Sequence, residues 1–382
     1  MTFSPRLRAT AVLAALTVGL LGLAAPTEAA PAAPTDRAIG PTTFTEAGPY
    51  LVGERTVKLK KSGIPIEIWY PARKRDAIGQ PGGSYDVVDW LPSFLQALVP
   101  EGESVSYPSG GVRRVEVANK KFPLVVFSHG FAGFRTQSSF LTSALASWGF
   151  VVAAPEHPSR NVTKVLGGPA GPTTDVQDLR RTIALVKRRS ATKGNWLKGH
   201  VDSSRIGAVG HSAGGRAVET LATVDKRVDT FVGMAGASTG ALGEGAAVPE
   251  QPGMLITGAD DAIVRLDRME AAYDALTGPK RFVQLENSGH LVFSDLCEVG
   301  ASDGGLLAIG ALLGITIPDS LVPLATDGCL DPARPVTEVW PAVLQAVTAY
   351  LRHELGVDSS TAGLDGLVEA FPGIVSENRS VD

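Results

Sequence analysis

The sequence contains few cysteines, few aromatic residues and little net charge. Its 382 residues include two cysteines and 6% aromatics, and 35 basic against 39 acidic residues leave a formal charge of -4. A nucleic-acid-binding protein would carry a basic excess, so the composition argues against that class. Two thiols without a His–Cys cluster predict no zinc site, and we expect no metal and no cofactor. The 44% of apolar residues excludes a disordered acidic chain.

The first 29 residues are predicted to be a secretory signal peptide. Arg6 and Arg8 precede an uncharged run over residues 9–25, and small residues around Ala29 form a cleavage site. A membrane anchor is the alternative, but the run is short for a ~20-residue span, and Thr and Gly interrupt it. We therefore expect a secreted, extracellular protein with no stable membrane span after cleavage.

Cys297 and Cys329 are predicted to form a disulfide. They are the only pair of cysteines, and the oxidising compartment implied by export favours joining them. The alternative is two buried free thiols. The bond would contribute ~3–4 kcal/mol to stability in the chain-entropy model.

Strand-like and helix-like segments alternate along the chain. Two antiparallel opening strands are predicted within residues 56–70. Apolar runs typical of buried strands follow at 122–127, 150–154, 205–209, 231–234, 254–257 and 281–285. Helical patterns occur at 141–148, 175–189, 215–223 and 336–355. Repeated β-then-α units predict an α/β fold with a mostly parallel central sheet and helices on both faces.

The strand at 205–209 leads directly into a G-x-S-x-G pattern, Gly210-His211-Ser212-Ala213-Gly214. Between a strand and a helix this pattern is typical of a nucleophile elbow, where a tight turn lifts the serine hydroxyl above the sheet. Gly210 and Gly214 leave room for that turn. An ordinary strand-to-helix loop is the alternative. We predict that Ser212 is a nucleophile.

A serine nucleophile needs a base, and in elbow-containing folds the order along the chain is serine, acid, histidine. Of six histidines, only His290 and His353 follow Ser212. His353 lies on the predicted closing helix, where a surface histidine is ordinary. His290 follows the strand at 281–285, where a loop can hold an imidazole over the carboxyl edge of the sheet. We predict that His290 is the general base.

The acid is predicted between the serine and the histidine. Asp260 and Asp261 directly follow the strand at 254–257. The segment resembles the G-x-x-D-x-x-V turn of many α/β-hydrolases, in which the aspartate three residues after the glycine is catalytic. This register favours Asp261, which would orient His290. Asp260 is the alternative, and we otherwise expect it to hydrogen-bond to the backbone of the turn.

Acyl transfer also needs two N–H donors for the tetrahedral oxyanion. The backbone N–H of Ala213 is predicted as one donor, because it follows the nucleophile. The N–H of Phe131, in the loop at 128–134, is predicted as the other. A further hypothesis places the Phe131 ring in the wall of the acyl pocket.

These motifs together resemble a family of secreted bacterial α/β-hydrolases. The family groups plasma-type platelet-activating-factor acetylhydrolases with predicted dienelactone hydrolases. The resemblance is carried by residues 48–53, 66–72, 127–131, 210–215 and 289–297. It implies an α/β-hydrolase catalytic domain over residues 46–357, with an Ala/Pro-rich linker over 30–45 before it and a tail over 358–382 after it.

Two departures separate the chain from that family. The acetylhydrolases take their aspartate from the strand after the elbow helix, and here that strand end, at 234–237, contains none. The position of Asp261 is similar to that in cutinase-like polyester hydrolases. Dienelactone hydrolases use a cysteine nucleophile, whereas this chain has Ser212.

We therefore expect a serine hydrolase of the esterase or lipase type that acts on small-molecule, lipid or polymeric carboxylic esters. The alternatives are an acyltransferase or peptidase with the same triad, and a non-enzymatic binding protein. Phospholipid acetylhydrolase and polyester hydrolase are the specific activities to distinguish. The apolar segment at 296–330 is expected to form a cap or a wall beside His290.

Overall fold

The computed structural model describes residues 39–99, 101, 104–238, 247–301, 305–312, 314 and 317–382. The predicted signal peptide, residues 1–29, lies outside these residues. Within the described ranges, no helix is both long and apolar enough to cross a membrane.

Twelve strands are present in the described residues. They are β1 (Val52–Lys58), β2 (Pro65–Pro71), β3 (Ser84–Asp86), β4 (Ser106–Pro108), β5 (Val112–Arg113), β6 (Phe122–Ser128), β7 (Val151–Pro155), β8 (Val201–His211), β9 (Thr230–Met234), β10 (Gly253–Gly258), β11 (Lys280–Leu285) and β12 (Val375–Val381). Ten of them form one sheet in the order β12-β11-β10-β9-β8-β6-β7-β2-β1-β5. The strands from β7 through β6, β8, β9 and β10 to β11 pair in parallel. The carboxyl ends of these strands therefore meet along one edge of the sheet.

Eleven α-helices accompany the sheet in the described residues. They are α1 (Lys74–Ala77), α2 (Ser93–Gln96), α3 (Ser139–Ser147), α4 (Val162–Val165), α5 (Asp175–Ala191), α6 (Ala213–Val224), α7 (Leu266–Ala275), α8 (Gly305–Leu312), α9 (Val322–Thr326), α10 (Val336–Glu354) and α11 (Leu367–Ala370). Short 3₁₀ segments occur at Val87–Trp90, His290–Phe293, Asp295–Cys297 and Asp319–Leu321.

The alternation of side chains along β6 shows how helices cover both faces of the sheet. Val125 and Phe127 belong to a core cluster that also contains residues of α3 and α10. Leu124 and Val126 point to the opposite face and belong to a cluster with residues of α5 and α6. Because successive strand residues face opposite ways, a continuous apolar run fills two cores at once. The predicted α/β fold, a mostly parallel sheet between helices, is confirmed.

The folded region extends on both sides of the expected domain, residues 46–357. Phe44, in the expected linker, is buried in the core, and its N–H donates to Gln345 Oε1 at 2.6 Å. The expected tail contains α11 and β12, and β12 pairs antiparallel with β11 at the edge of the sheet. The sequence VSENRSV of β12 is mostly polar because an edge strand is half solvated, so it gives little strand signal.

Candidate active site

Ser212 occupies the turn between β8 and α6 at the carboxyl edge of the sheet. Its backbone has φ 57° and ψ -121°, a conformation rare for a residue with a side chain. A Cβ on Gly210 would lie 2.2 Å from the Gly214 carbonyl oxygen, and one on Gly214 would lie 2.0 Å from the Ser128 carbonyl oxygen. Only glycine therefore fits at these two positions. The Ser212 N–H donates to the Met234 carbonyl at 2.8 Å, which ties the turn to β9.

Asp261 and His290 form a buried pair. The distance from His290 Nδ1 to Asp261 Oδ2 is 2.8 Å. The other carboxylate oxygen, Oδ1, accepts the N–H groups of Ile263 and Val264 at 2.8 and 2.7 Å. These bonds fix the carboxylate with Oδ2 directed at the imidazole. Asp260 is exposed, and its backbone N–H donates to Ser288. The structure thus brings Asp261, and not its neighbour, to His290.

The backbone of His290 is held from two sides. Its N–H donates to Asp327 Oδ2 at 2.6 Å, and its carbonyl lies 3.0 Å from His211 Nε2. His211 is buried, which lowers its pKa well below the usual value and keeps the ring neutral. The His211 Nδ1 accepts a hydrogen bond from Gln137 Nε2 at 2.9 Å. The ring proton of this neutral histidine is therefore on His211 Nε2, which donates to the His290 carbonyl. The elbow residue His211 therefore supports the loop of the predicted base.

The predicted disulfide between Cys297 and Cys329 is confirmed. It joins the segment after His290 to the segment that carries Asp327. Asp327 also accepts the N–H of Ala262 at 3.3 Å, beside the aspartate of the buried pair. Burial raises the pKa of Asp327, while the N–H of His290 favours its charged form. The disulfide therefore anchors the segment that carries Asp327. The Asp327 carboxylate in turn contacts the loop of the predicted base and the loop of the predicted acid.

The two predicted oxyanion donors border the same cleft as Ser212, the predicted nucleophile. Within the described part of the chain, neither the N–H of Phe131 nor that of Ala213 donates to a protein acceptor. Phe131 is 46% exposed, unusually high for a ring of this size. The preceding residue, Gly130, donates its N–H to Gln137 Oε1 at 3.0 Å. Both predicted donors are thus available to a ligand oxygen.

Arg160 holds the loop that carries Phe131, a role that no sequence motif indicates. Its Nη1 donates to the carbonyls of His129 and Gly130, each at 2.5 Å, and its Nε donates to Asp175. The carbonyl of Gly130 and the N–H of Phe131 belong to one planar peptide group and point in opposite directions. By fixing the carbonyl, the guanidinium fixes the direction of the N–H. Although burial opposes it, Arg160 lowers the pKa of Asp175 to about 2, so the pair is charged.

An apolar cleft opens onto the predicted nucleophile and base. Ser212, His290 and Phe131 line it, together with an apolar wall. The wall includes Leu91, Phe134, Leu166, Leu306, Ile309 and Leu324. Three of these residues come from the segment at 296–330 that was expected to flank the base. We call this space the apolar cleft.

Among the residues that the structure describes, no group of three or more His, Cys, Asp or Glu side chains could hold a metal ion.

Comparison with known proteins gives a match to one family model over part of the chain. A model described as platelet-activating factor acetylhydrolase, isoform II, matches residues 42–191. The chain resembles the platelet-activating factor acetylhydrolases. The resemblance predicted from the motifs is thereby confirmed. The matched range contains Phe131 and Arg160, and it ends before Ser212.

Three curated relatives extend the comparison. A bis(hydroxyethyl) terephthalate hydrolase of Streptomyces coelicolor is 28% identical over 38% of this chain and 41% of its own length. The platelet-activating factor acetylhydrolase of Cavia porcellus is 24% identical over 49% of this chain and 54% of its own. That of Canis lupus familiaris is 58% identical over 29% of this chain and 27% of its own. The chain thus spans about half or less of the curated relatives that it matches, and their names all denote ester hydrolases.

Proposed function

We propose that the protein is a serine hydrolase of carboxylic esters. The observation that carries this proposal is the buried Asp261–His290 pair, whose His290 lines the same cleft as Ser212 on its strained turn. The names of the similar proteins, acetylhydrolase and terephthalate hydrolase, support the same class of reaction.

In the acylation step, His290 Nε2 removes the proton of Ser212 Oγ while the oxygen attacks the ester carbonyl. Asp261 Oδ2 accepts a hydrogen bond from His290 Nδ1–H, which holds the tautomer and stabilises the imidazolium. The N–H groups of Phe131 and Ala213 would receive the carbonyl oxygen as it becomes negative. The imidazolium then gives its proton to the alcohol oxygen, the C–O bond breaks, and an acyl-serine remains.

In the deacylation step, His290 takes a proton from water, and the resulting hydroxide attacks the acyl carbon. The acid product leaves, and Ser212 regains its proton from the imidazolium. An alcohol in place of water would give acyl transfer by the same residues. Product analysis with added methanol separates the two: free acid as the main product supports hydrolysis, and methyl ester as the main product supports transferase activity.

The apolar cleft favours an ester in which at least one half is apolar. Its wall buries hydrocarbon at about 25 cal/mol for each Å² of surface removed from water. Lipid and aromatic esters therefore fit better than esters of highly polar acids. A screen of acetate to dodecanoate esters, a phospholipid acetate ester and bis(hydroxyethyl) terephthalate would rank the specific activities.

We further propose that the chain is secreted after removal of residues 1–29. The basic start and apolar run support export, and the disulfide is compatible with an oxidising compartment. Sequencing the N-terminus of the protein from culture medium tests this. An N-terminus within a few residues of Ala30 is expected, and an intact Met1 on a cell-associated protein would contradict it.

The central test replaces the nucleophile. We expect Ser212→Ala to lower the kcat for p-nitrophenyl butyrate by at least about 10⁴-fold, because the acyl-enzyme cannot form. Ser204→Ala is the matched control, since Ser204 is an exposed serine of β8 whose hydroxyl donates to Asp202. Equal turnover by wild type and Ser212→Ala would overturn the proposal.

A further inference from the structure

Ser212 and Phe131 border a second cleft besides the apolar one. Its lining includes Ser212, Ala213, Arg216, Arg265, Asp267 and Arg268, and we call this space the arginine cleft. The lining of the apolar cleft contains neither arginine nor a carboxylate. The nucleophile therefore lies where two clefts of different chemistry meet.

Among the residues that the structure describes, two of the three arginines pair with no carboxylate. Arg265 is paired with Asp267 through bonds of 3.1 and 2.7 Å. Arg216 and Arg268 are exposed, and neither forms an ion pair with a carboxylate of the residues described. Three arginines and one aspartate give the described residues of this lining an excess of positive charge, which attracts an anion.

Arg216 adds a second indication, from its place at the start of α6. It lies four residues after Ser212, about one helical turn along α6, and lines the arginine cleft beside Ser212. The unpaired guanidinium groups are suited to planar, two-point contact with carboxylate or phosphate oxygens.

We propose that the arginine cleft binds an anionic oxygen group, a carboxylate or a phosphate, on one half of the ester, while the other half occupies the apolar cleft. This inference rests on the proposed ester hydrolysis, because it places the ester carbonyl at Ser212. The two halves of an ester diverge from that carbonyl, so each half enters its own cleft. The preferred substrate is then an ester with one apolar end and one anionic end.

The test compares two aryl esters of similar shape, 4-carboxyphenyl butyrate and its neutral amide, 4-carbamoylphenyl butyrate. We expect the wild type to have the higher kcat/KM for the carboxylate. In the double variant Arg216→Gln/Arg268→Gln, the carboxylate-to-amide ratio should fall about tenfold, since charge-assisted hydrogen bonds are lost. The ratio for wild type should also fall as ionic strength rises. Arg181→Gln is the matched control, because Arg181 is an exposed arginine of α5 outside both clefts.

A third ester carries a phosphonate in place of the carboxylate. The anion whose ester has the larger kcat/KM is the one that the cleft prefers. A wild-type ratio near one, or an unchanged ratio in the double variant, would overturn the proposed anion site while leaving ester hydrolysis intact. Absence of turnover for every ester would overturn both. Circular dichroism and melting curves for each variant show that a changed ratio does not arise from misfolding.

Discussion

At the scale of single residues, two adjacent aspartates have sharply different surroundings. Asp261 is buried against His290 with one oxygen fixed by two backbone N–H groups, whereas Asp260 is exposed. The matched pair Asp261→Asn and Asp260→Asn exploits this difference. We expect Asp261→Asn to lower kcat about 10⁴-fold, because an amide favours the wrong imidazole tautomer. Asp260→Asn should stay within about twofold of wild type, since exposed substitutions have small effects. Steady-state kinetics checks this, and the reverse order would assign the acid to Asp260.

Arg160 is a positioning residue for the predicted oxyanion donor of Phe131. In Arg160→Lys one ammonium group replaces a fork that contacts two carbonyls and Asp175. We expect kcat to fall about 10²-fold with KM nearly unchanged, as for loss of an oxyanion donor. Arg205→Lys is the control, because Arg205 pairs with Asp202 outside both clefts. A loss in thermal stability with unchanged kcat would show that the role of Arg160 is only structural.

The nucleophile, base and acid candidates were accessible to sequence reasoning because each follows a buried strand or sits in a local pattern. The residues that hold these candidates in place could not be predicted in the same way. Arg160 contacts carbonyls about thirty positions away, and Asp327 contacts His290 across the disulfide loop. Such contacts depend on how distant segments pack, and neither residue lies in a motif. A single arginine in a loop belongs to no periodic pattern and no motif spacing, so its role cannot be predicted from the sequence.

At the scale of elements, the segment between Cys297 and Cys329 forms part of the apolar wall. It carries α8 and α9, whose Leu306 and Leu324 line the cleft. Without the bond, this wall should move away from the acyl chain. We expect Cys297→Ser/Cys329→Ser to lower kcat/KM for p-nitrophenyl octanoate roughly tenfold more than for the acetate, since long chains lose the most apolar contact.

Dithiothreitol supplies the control for this prediction. It should reproduce the effect in wild type and leave the double-serine variant unchanged. An equal loss for acetate and octanoate would show that the bond acts on the base loop and not on the wall.

Strand prediction succeeded where strands are buried on both faces and failed at the edge. Phe122–Ser128 and Gly253–Gly258 are fully buried and read as continuous apolar runs. β12 lies at the edge of the sheet, and its register is set by pairing with β11 and not by its own side chains. The three-residue strands β3 and β4 are too short to give a period.

At the scale of the whole molecule, one buried carboxyl links stability to pH. Glu54 of β1 is fully buried, accepts from Ser109 at 2.6 Å and pairs with Arg113 at 2.8 Å. Burial raises its pKa to about 7 in spite of these partners, and the nearby charge of Glu67 adds to the shift. The folded state therefore holds this proton more tightly than the unfolded chain. Its stabilising contribution is complete below pH 4.5 and is lost as the pH rises towards 7.

Replacement of this carboxyl should remove the pH dependence it causes. We expect the melting temperature of Glu54→Gln to rise relative to that of wild type as the pH increases from 5 to 8. Each 1 kcal/mol of unfolding free energy that wild type loses over this range corresponds to about 2–4 °C. Calorimetry at half-unit pH steps measures the difference. Parallel curves for the two proteins would show that Glu54 keeps its ordinary pKa in the folded state.

The anchoring of the His290 loop through Asp327 and Cys329 has a practical consequence for preparing the protein. A chain folded in a reducing host cytoplasm lacks the crosslink beside its predicted base. Batches with different thiol contents would then differ in specific activity although they contain the same amount of folded protein. Titration of free thiols therefore belongs with every measurement of rate, and export to an oxidising compartment is the production route that the architecture favours.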